Sequence, residues 1–254
     1  ITIQFIPLRN VLKEIFELPF IFNDSREYLQ NLEENDVLIK NVVQSESWKK
    51  KKATLGEKLV FPIFMYQDDY ETNNPLGSHK GLGKMGAVYI VMPCLPPHLS
   101  SKTENIFLLT LYKSNDLKYV SLQVILAEAI KELEFLESTG ISISPTQIYF
   151  SLAGVIGDNL AAHTILGFIG SFSANFPCRF CKIHRSDINS TFKESSCELR
   201  SEEIYKVDLE KNELSETGIA GPSVFETHLK TASTIDLMTV DVMHDLLEGI
   251  CEYD

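Results

Sequence analysis

Leu122, Ile125, Leu126, Ala129, Ile130, Leu133 and Leu136 recur at i, i+3, i+4 and i+7, a spacing that gathers them on one face of a helix. Gly140 stands where such a helix stops. What brackets this helix decides the fold class. Three apolar runs rich in aromatic and branched residues precede it: FPIFMY (61–66), AVYIVM (87–92) and NIFLLTLY (105–112). Pro, Asn and Gly bound them, the signature of strands separated by loops. A fourth run, IYFSLAGVI (148–156), follows the helix, and Leu160, Ile165, Leu166 and Phe168 begin a second helix behind it, with Asp158 or Asn159 as a natural N-cap.

The predicted order is therefore strand, strand, strand, helix, strand, helix, an α/β arrangement. Three strands joined by modest loops form an antiparallel meander, and a helical crossover brings the fourth beside the first. That is an incomplete ribonuclease H-like fold, expected over residues 58–172. Residues 1–57 read as a helical N-terminal region: Leu8, Val11, Leu12, Ile15 and Phe16 keep helical spacing, and Tyr28, Leu29 and Leu32 suggest a second short helix. The Lys-rich run at 48–52 reads as a solvated loop. Residues 173–254 are expected to hold a C-x-x-C knuckle and a polar insertion, with 185–221 partly flexible. The chain begins at Ile1 and stops at Asp254 after an apolar helix-like segment, which predicts a truncated fragment.

Chemistry enters where the strands end. In the expected fold Asp68 and Asp69 follow the first strand, Asp158 follows the fourth, and these strands are neighbours. Asp68 and Asp158 then converge on one edge while Asp69, the adjacent strand residue, faces away. Two hard carboxylate ligands suit Mg²⁺ or Mn²⁺ and two-ion chemistry on a phosphodiester. The bland alternatives are a solvated strand end for the Asp pair and an N-cap for Asp158. Gly77, Gly81, Gly83 and Gly86 fit neither phosphate-loop spacing.

Cys178 and Cys181 form a C-x-x-C, half of a tetrahedral Zn²⁺ site; His184, Cys197, His228, His244 and Cys251 could complete it. Buried free thiols or a redox dithiol are the alternatives. With five cysteines and no signal-like leader, metal binding in a reducing compartment is favoured over a disulfide framework. A composition of 44% apolar and 23% charged residues, without an apolar run of spanning length, excludes a membrane-spanning helix. A net charge of −12 argues against a sequence-independent nucleic-acid coat but is compatible with an acidic nuclease core. Glu248 lies one turn beyond His244 and reads as an exposed helix acid.

Four blocks, YQDDYETNNPLGSHKGLGKMGAVYIVMPCLPP, GVIGDNLAAHTILGF, FPCRFC and DVMHDLLEG, occur in an order that resembles the catalytic region of eukaryotic cut-and-paste DNA transposases, close to the CACTA (En/Spm-like) group and its animal relatives. The resemblance covers roughly residues 5–254. It implies a DDE/D nuclease and strand transferase that uses two divalent ions, acts on transposon-end and target DNA, works in the nucleus and can form a homo-oligomer. It places the first acid on Asp68 rather than Asp69, with Tyr70 and then Asn74-Pro75 after it, two residues further on than the family spacing. The second acid falls on Asp158. Cys178 and Cys181 match its C-x-x-C, and Met243-His244 its Met-His block, which makes His244 the expected distant zinc ligand and His184 the local alternative. A third acid belongs on a later helix; Glu248 is the weak claimant within this chain, so the catalytic set is expected to be incomplete here and the fragment inactive by itself. A domesticated or decayed remnant, binding DNA or protein without cutting, is the competing reading, and a zinc-stabilised interaction module a third.

Overall fold

The computed structural model describes residues 1–35, 37–73, 83–100 and 102–251. The chain forms two compact units, Ile1–Gly154 with His228–Thr231, and Val155–Thr227 with Ala232–Asp254. It is a mixed α/β protein built on one six-stranded sheet.

In the first unit, β1 (Ile3–Phe5) leads into α1 (Leu8–Phe16), α2 (Ile21–Glu34) and α3 (Glu46–Leu55). Next come β2 (Leu59–Glu71), β3 (Lys84–Val91), α4 (Pro97–Ser100), β4 (Ile106–Lys113), α5 (Leu122–Ile125), α6 (Ala127–Ser138), β5 (Ile141–Ile143) and β6 (Thr146–Ile156), whose last residues pass into the second unit. The sheet order is β1-β4-β3-β2-β6-β5. As expected, β2, β3 and β4 are an antiparallel meander, with Phe64 opposite Val91 and Ala87 opposite Leu111, and β6 lies beside β2. The two edge strands, β1 and β5, are too short to carry a periodic signal.

The core follows from the spacing of large apolar groups. Leu8, Leu12 and Phe16 fall at i, i+4 and i+8 on α1 and are all buried. Phe16 meets Phe61 of β2 and Phe150 of β6, with ring centroids 5.2 and 5.6 Å away. Arg9 lies over the Phe135 ring and forks onto the buried carboxylate of Glu132, Nε to Oε1 at 2.9 Å and Nη2 to Oε2 at 2.7 Å, which ties α1 to α6.

Three local expectations change. The Lys-rich run is helix α3, not a solvated loop: the Ser45 side chain caps it, Trp48 is buried, and Lys51 Nζ donates to the Leu152 carbonyl oxygen at 2.6 Å. The helix read as continuous from Leu122 is interrupted at Leu126, where the backbone leaves helical geometry (φ −89°, ψ 2°). Gly140 does end α6: at φ +70° its N–H reaches the Phe135 carbonyl oxygen. Finally, β2 does not stop before its acids but runs to Glu71, because Gln67 through Glu71 keep the ladder with β3 as far as Lys84.

The second unit holds α7 (Asn159–Leu166), α8 (Glu202–Lys211), α9 (Leu214–Thr217) and a π-helical segment, Met243–Ile250. Its core gathers Ile165, Leu166, Phe168, Tyr205, Ile219, Phe225 and Leu237. Residues 185–221, expected as a partly flexible insertion, are structured. Their polarity is used inside: Arg200, fully buried in its side chain, donates to Asp208 at 3.2 Å and to the Thr217 carbonyl oxygen at 2.6 Å, while Lys182 pairs with the same Asp208 at 2.8 Å. A charge-rich stretch folds when its ions are paired under an apolar cover. Among the described residues no helix is long and apolar enough to cross a membrane.

Candidate functional site

On β2 alternate side chains face opposite ways, so Phe61, Ile63, Met65, Gln67 and Asp69 form one row and Phe64, Tyr66, Asp68 and Tyr70 the other. Asp68 is exposed. Its Oδ2 accepts from Tyr66 Oη at 3.2 Å and its Oδ1 from the Asp69 N–H at 2.7 Å. Asp69 is half-buried and already committed: Lys84 pairs with it at 3.1 Å and Ser114 Oγ donates to it at 3.0 Å. It stands opposite Gly86 of β3, which in turn faces Tyr112 of β4. Burial first, and then the Asp69 charge, pushes the Tyr112 phenol up to about 12. Among the described residues no cation pairs with Asp68, and an exposed carboxylate of that kind can take up a metal ion at lower cost than one neutralised by lysine, which favours Asp68 over Asp69. Asn74, Pro75, Gly77 and Gly81 lie outside the described residues.

Asp158 caps α7, accepting the Ala161 N–H at 2.6 Å through Oδ1. Capping uses one oxygen of the carboxylate. The next residue, Asn159, is held from both sides: its amide nitrogen donates to Asp245 Oδ1 at 2.6 Å and its oxygen accepts from Arg179 Nη1 at 2.6 Å. Arg179 is only 3% exposed and also donates to the Thr239 carbonyl oxygen at 2.7 Å, while its Nε has no hydrogen-bond partner among the described residues. Burial lowers the Arg179 pKa, and the charges of Asp245, Cys178 and Asp241 oppose that shift. Asp245 accepts the Asp241 N–H at 3.2 Å, and Asp241 caps the π-helical segment by accepting from the Met243 and His244 N–H groups at 3.1 and 3.2 Å. The His244 ring bonds through Nδ1 to Asp241. Glu248 lies on the same segment, with its side chain outside the described part.

The C-x-x-C pair lies on the strip that holds Arg179. Short backbone pairings join it to residues 198–200: Lys182 N–H to the Glu198 oxygen, Arg200 N–H to the Phe180 oxygen, and a bridge between Cys181 and Leu199. Cys178 Sγ accepts the Phe180 N–H at 3.3 Å, and the free thiol of Cys181 is hydrogen-bonded with Cys178 and with the Ile183 backbone. A backbone N–H two residues after each sulfur suits thiolates bound to one metal ion. Burial, opposed by the Ile183 bond and reinforced by Cys178 and Cys197, pushes the Cys181 thiol up to about 12, so a metal or a cation is needed to hold it ionised. The pair fits half of a zinc site. Among the described residues no group of three His, Cys, Asp or Glu side chains is assembled to complete it or a divalent-ion site. His184 is occupied by Ser186, whose Oγ lies 2.8 Å from Nδ1, and its ring packs edge-on against Phe176; His244 is turned to Asp241.

Sequence reading missed Arg179 and the link it makes through Asn159, read only as an alternative N-cap, to Asp245. The signal was present: each lies inside a quoted block, directly after Cys178, directly after Asp158 and directly after His244. The second, third and fourth blocks are thus joined through one hydrogen-bonded chain. No protein-family model and no curated protein matches the chain.

Proposed function

We propose that the chain is the core of a transposon-derived DNA transposase, with a ribonuclease H-like arrangement and metal-dependent phosphodiester cleavage and strand transfer as its chemistry. The observation that carries the reading is the linkage Arg179–Asn159–Asp245, which joins three separate blocks of the resemblance. Unrelated motif matches have no reason to meet in space. The sheet order adds support, since a β2-β3-β4 meander with β6 beside β2 is what the fold reading requires. In this reading Asp68 and Asp158 are the metal-binding acids for Mg²⁺ or Mn²⁺, and Cys178 and Cys181 hold a structural Zn²⁺ with ligands drawn from His244 or His184. The divalent ions would activate the attacking water or 3′-hydroxyl and stabilise the leaving oxygen. Asp68 and Asp158 would act as oxygen ligands in that scheme. The partners are transposon-end and target DNA, in the nucleus, with self-association as a further proposal.

A second reading is a remnant that binds DNA or protein without cutting. It is favoured by one observation: no third carboxylate joins either acid among the described residues. The test is nicking of supercoiled DNA in Mn²⁺ or Mg²⁺ by the unaltered chain and by Asp68→Asn and Asp158→Asn. Metal-dependent nicking that each substitution removes supports the transposase reading. DNA binding without nicking supports the remnant, and nicking that survives both substitutions together overturns the assignment of the acids.

A further inference from the structure

The outward row of β2 is aromatic where it carries Asp68. Tyr66, Asp68 and Tyr70 stand opposite Tyr89, Ala87 and Met85 of β3, which in turn face Leu108, Leu111 and Lys113 of β4. Directly opposed residues share a face of the sheet, so three rows of side chains cross it here: Tyr66 with Tyr89 and Leu108, Asp68 with Ala87 and Leu111, and Tyr70 with Met85 and Lys113. The Tyr66 and Tyr89 ring centroids are 6.3 Å apart and the planes are tilted by 35°. Tyr70 is 43% exposed, and Tyr66 and Tyr89 are half-buried. Burial first, and then the neighbouring Tyr70 and Asp68, raise the pKa of the Tyr89 phenol, which places these groups within one another's field. Rings held on rigid strands with part of their surface in water offer apolar contact area at little cost in conformational entropy.

We propose that Tyr66, Tyr70 and Tyr89 form a stacking platform for the unpaired bases of a single DNA strand. The proposal rests on the transposase reading above and names the form of DNA that meets this face. The sheet order selects the kind of occupant: β2 lies between β3 and β6, and β3 between β4 and β2, so neither strand has a free edge on which a peptide could add as a further strand. Only side chains are on offer. Aromatic side chains on the face of a sheet receive unstacked bases, and stacking tolerates any base because each has a π-face. Tyr66 and Tyr70 are four positions apart on β2, about 13 Å along the strand, so they take different bases of one nucleic-acid strand. The charges then orient that strand. Lys84 neutralises Asp69 at 3.1 Å, whereas no cation pairs with Asp68 among the described residues. Asp68 repels phosphate and accepts N–H groups from a base edge, while exposed Lys113, at the far end of the Tyr70 row, attracts phosphate. Bases turn toward the tyrosines and the backbone toward β4. A strand held in this way passes beside Asp68, the acid assigned to the chemistry.

The test is fluorescence anisotropy of a short, labelled single strand of mixed sequence, alone and annealed to its complement, in EDTA and over a range of salt. The unaltered chain is compared with Tyr70→Ala, Tyr70→Phe, Tyr89→Leu and Lys113→Gln, and Trp48 fluorescence in urea checks the fold of the first unit in each. Expected are tighter binding of the single strand than of the duplex, and a loss for the single strand of about tenfold or more in Tyr70→Ala and Tyr89→Leu, because one stacked base is worth about 5–150-fold. Tyr70→Phe keeps the ring and should bind as the unaltered chain does. Lys113→Gln should lower the salt slope by about 0.7. No binding of the single strand, full binding by Tyr70→Ala, or a Tyr70→Phe as weak as Tyr70→Ala overturns the platform. So does tyrosine-dependent binding of an oligolysine peptide in place of the strand, which would assign this face to a basic protein. Because metal is absent, the result is independent of nicking: tyrosine-dependent strand binding by a chain that does not nick in Mn²⁺ keeps the platform and removes the cleavage reading, and nicking by a chain whose tyrosine variants bind normally does the reverse.

Discussion

Gly86 is the residue on which the strand carrying Asp68 and Asp69 depends most directly. It faces Asp69 across one ladder and Tyr112 across the other. A Cβ added there would stand 2.3 Å from Tyr112 Cζ, 2.5 Å from Cε2 and 2.6 Å from Oη. Favourable contact between such atoms lies near 3.5–4.0 Å, so the ring would have to move by more than an ångström. It has nowhere to go: Tyr112 is fully buried and its hydroxyl is held by Gln67 Nε2 at 3.1 Å. Overpacking of a well-filled core costs about 1–3 kcal/mol, and three atoms of one immobile ring put Gly86→Ala near the upper end, about 3 kcal/mol. For a chain of this size that is a fall in Tm of about 6–12 °C. Trp48 is the chain's single tryptophan and is buried in the first unit, so urea unfolding followed by its fluorescence reads that unit specifically. The cause is isolated by a double-mutant cycle with Tyr112→Leu. Removing the ring should cut the cost of the added methyl to under about 1 kcal/mol, a coupling of about 2 kcal/mol. Equal costs in both backgrounds would refute the steric argument and point instead to strand backbone geometry at Gly86.

Asp208→Asn should destabilise the second unit by about 3–5 kcal/mol, because it leaves the fully buried Arg200 side chain without its anion; chemical unfolding followed by near-ultraviolet circular dichroism measures it. His163, buried and bonded through Nδ1 to the Ile169 carbonyl oxygen at 2.7 Å, has its pKa lowered, first by burial. The unfolded chain then binds more protons than the folded one at mildly acid pH, so stability should fall as pH drops below about 6.5, and His163→Gln should flatten that slope in unfolding curves at pH 7.5 and 5.5. Without metal, the Cys181 thiol, raised to about 12, should react with iodoacetamide at pH 8 far more slowly than exposed Cys251; stoichiometric Zn²⁺ lost on Cys178→Ser would establish the knuckle as a metal site, and its absence in metal analysis of the unaltered chain would remove it.

The parts of the fold legible in the sequence are those whose signal is periodic and long. The meander and the helix through Leu133 and Leu136 declare themselves because burial on one face repeats over eight or more positions. Three-residue strands such as β1 cannot, and the lysine run hid helix α3 because its average polarity conceals a two-point anchor, Trp48 and Lys51. The same rule separates the visible from the hidden part of the candidate site. Asp68, Asp158 and the cysteines were picked out by their own chemistry, while Asn159 and Arg179 are ordinary residues whose importance lies in what they touch.

What the blocks share is therefore more informative than what each contains. A C-x-x-C alone is half of a metal site, a capping aspartate alone ends a helix, and an Asp-His turn alone starts one. Joined by Arg179, Asn159 and Asp245, they become mutually dependent, since each block supplies a bond that another cannot replace. The buried Arg179 guanidinium is balanced by the nearby Asp245 and Asp241 charges and lies over the Phe180 ring, while the Asp158 bond to Ala161 caps α7 without it. The chain of bonds from Arg179 through Asn159 to Asp245 therefore fixes the residue beside the cap in addition to the cap that Asp158 itself makes.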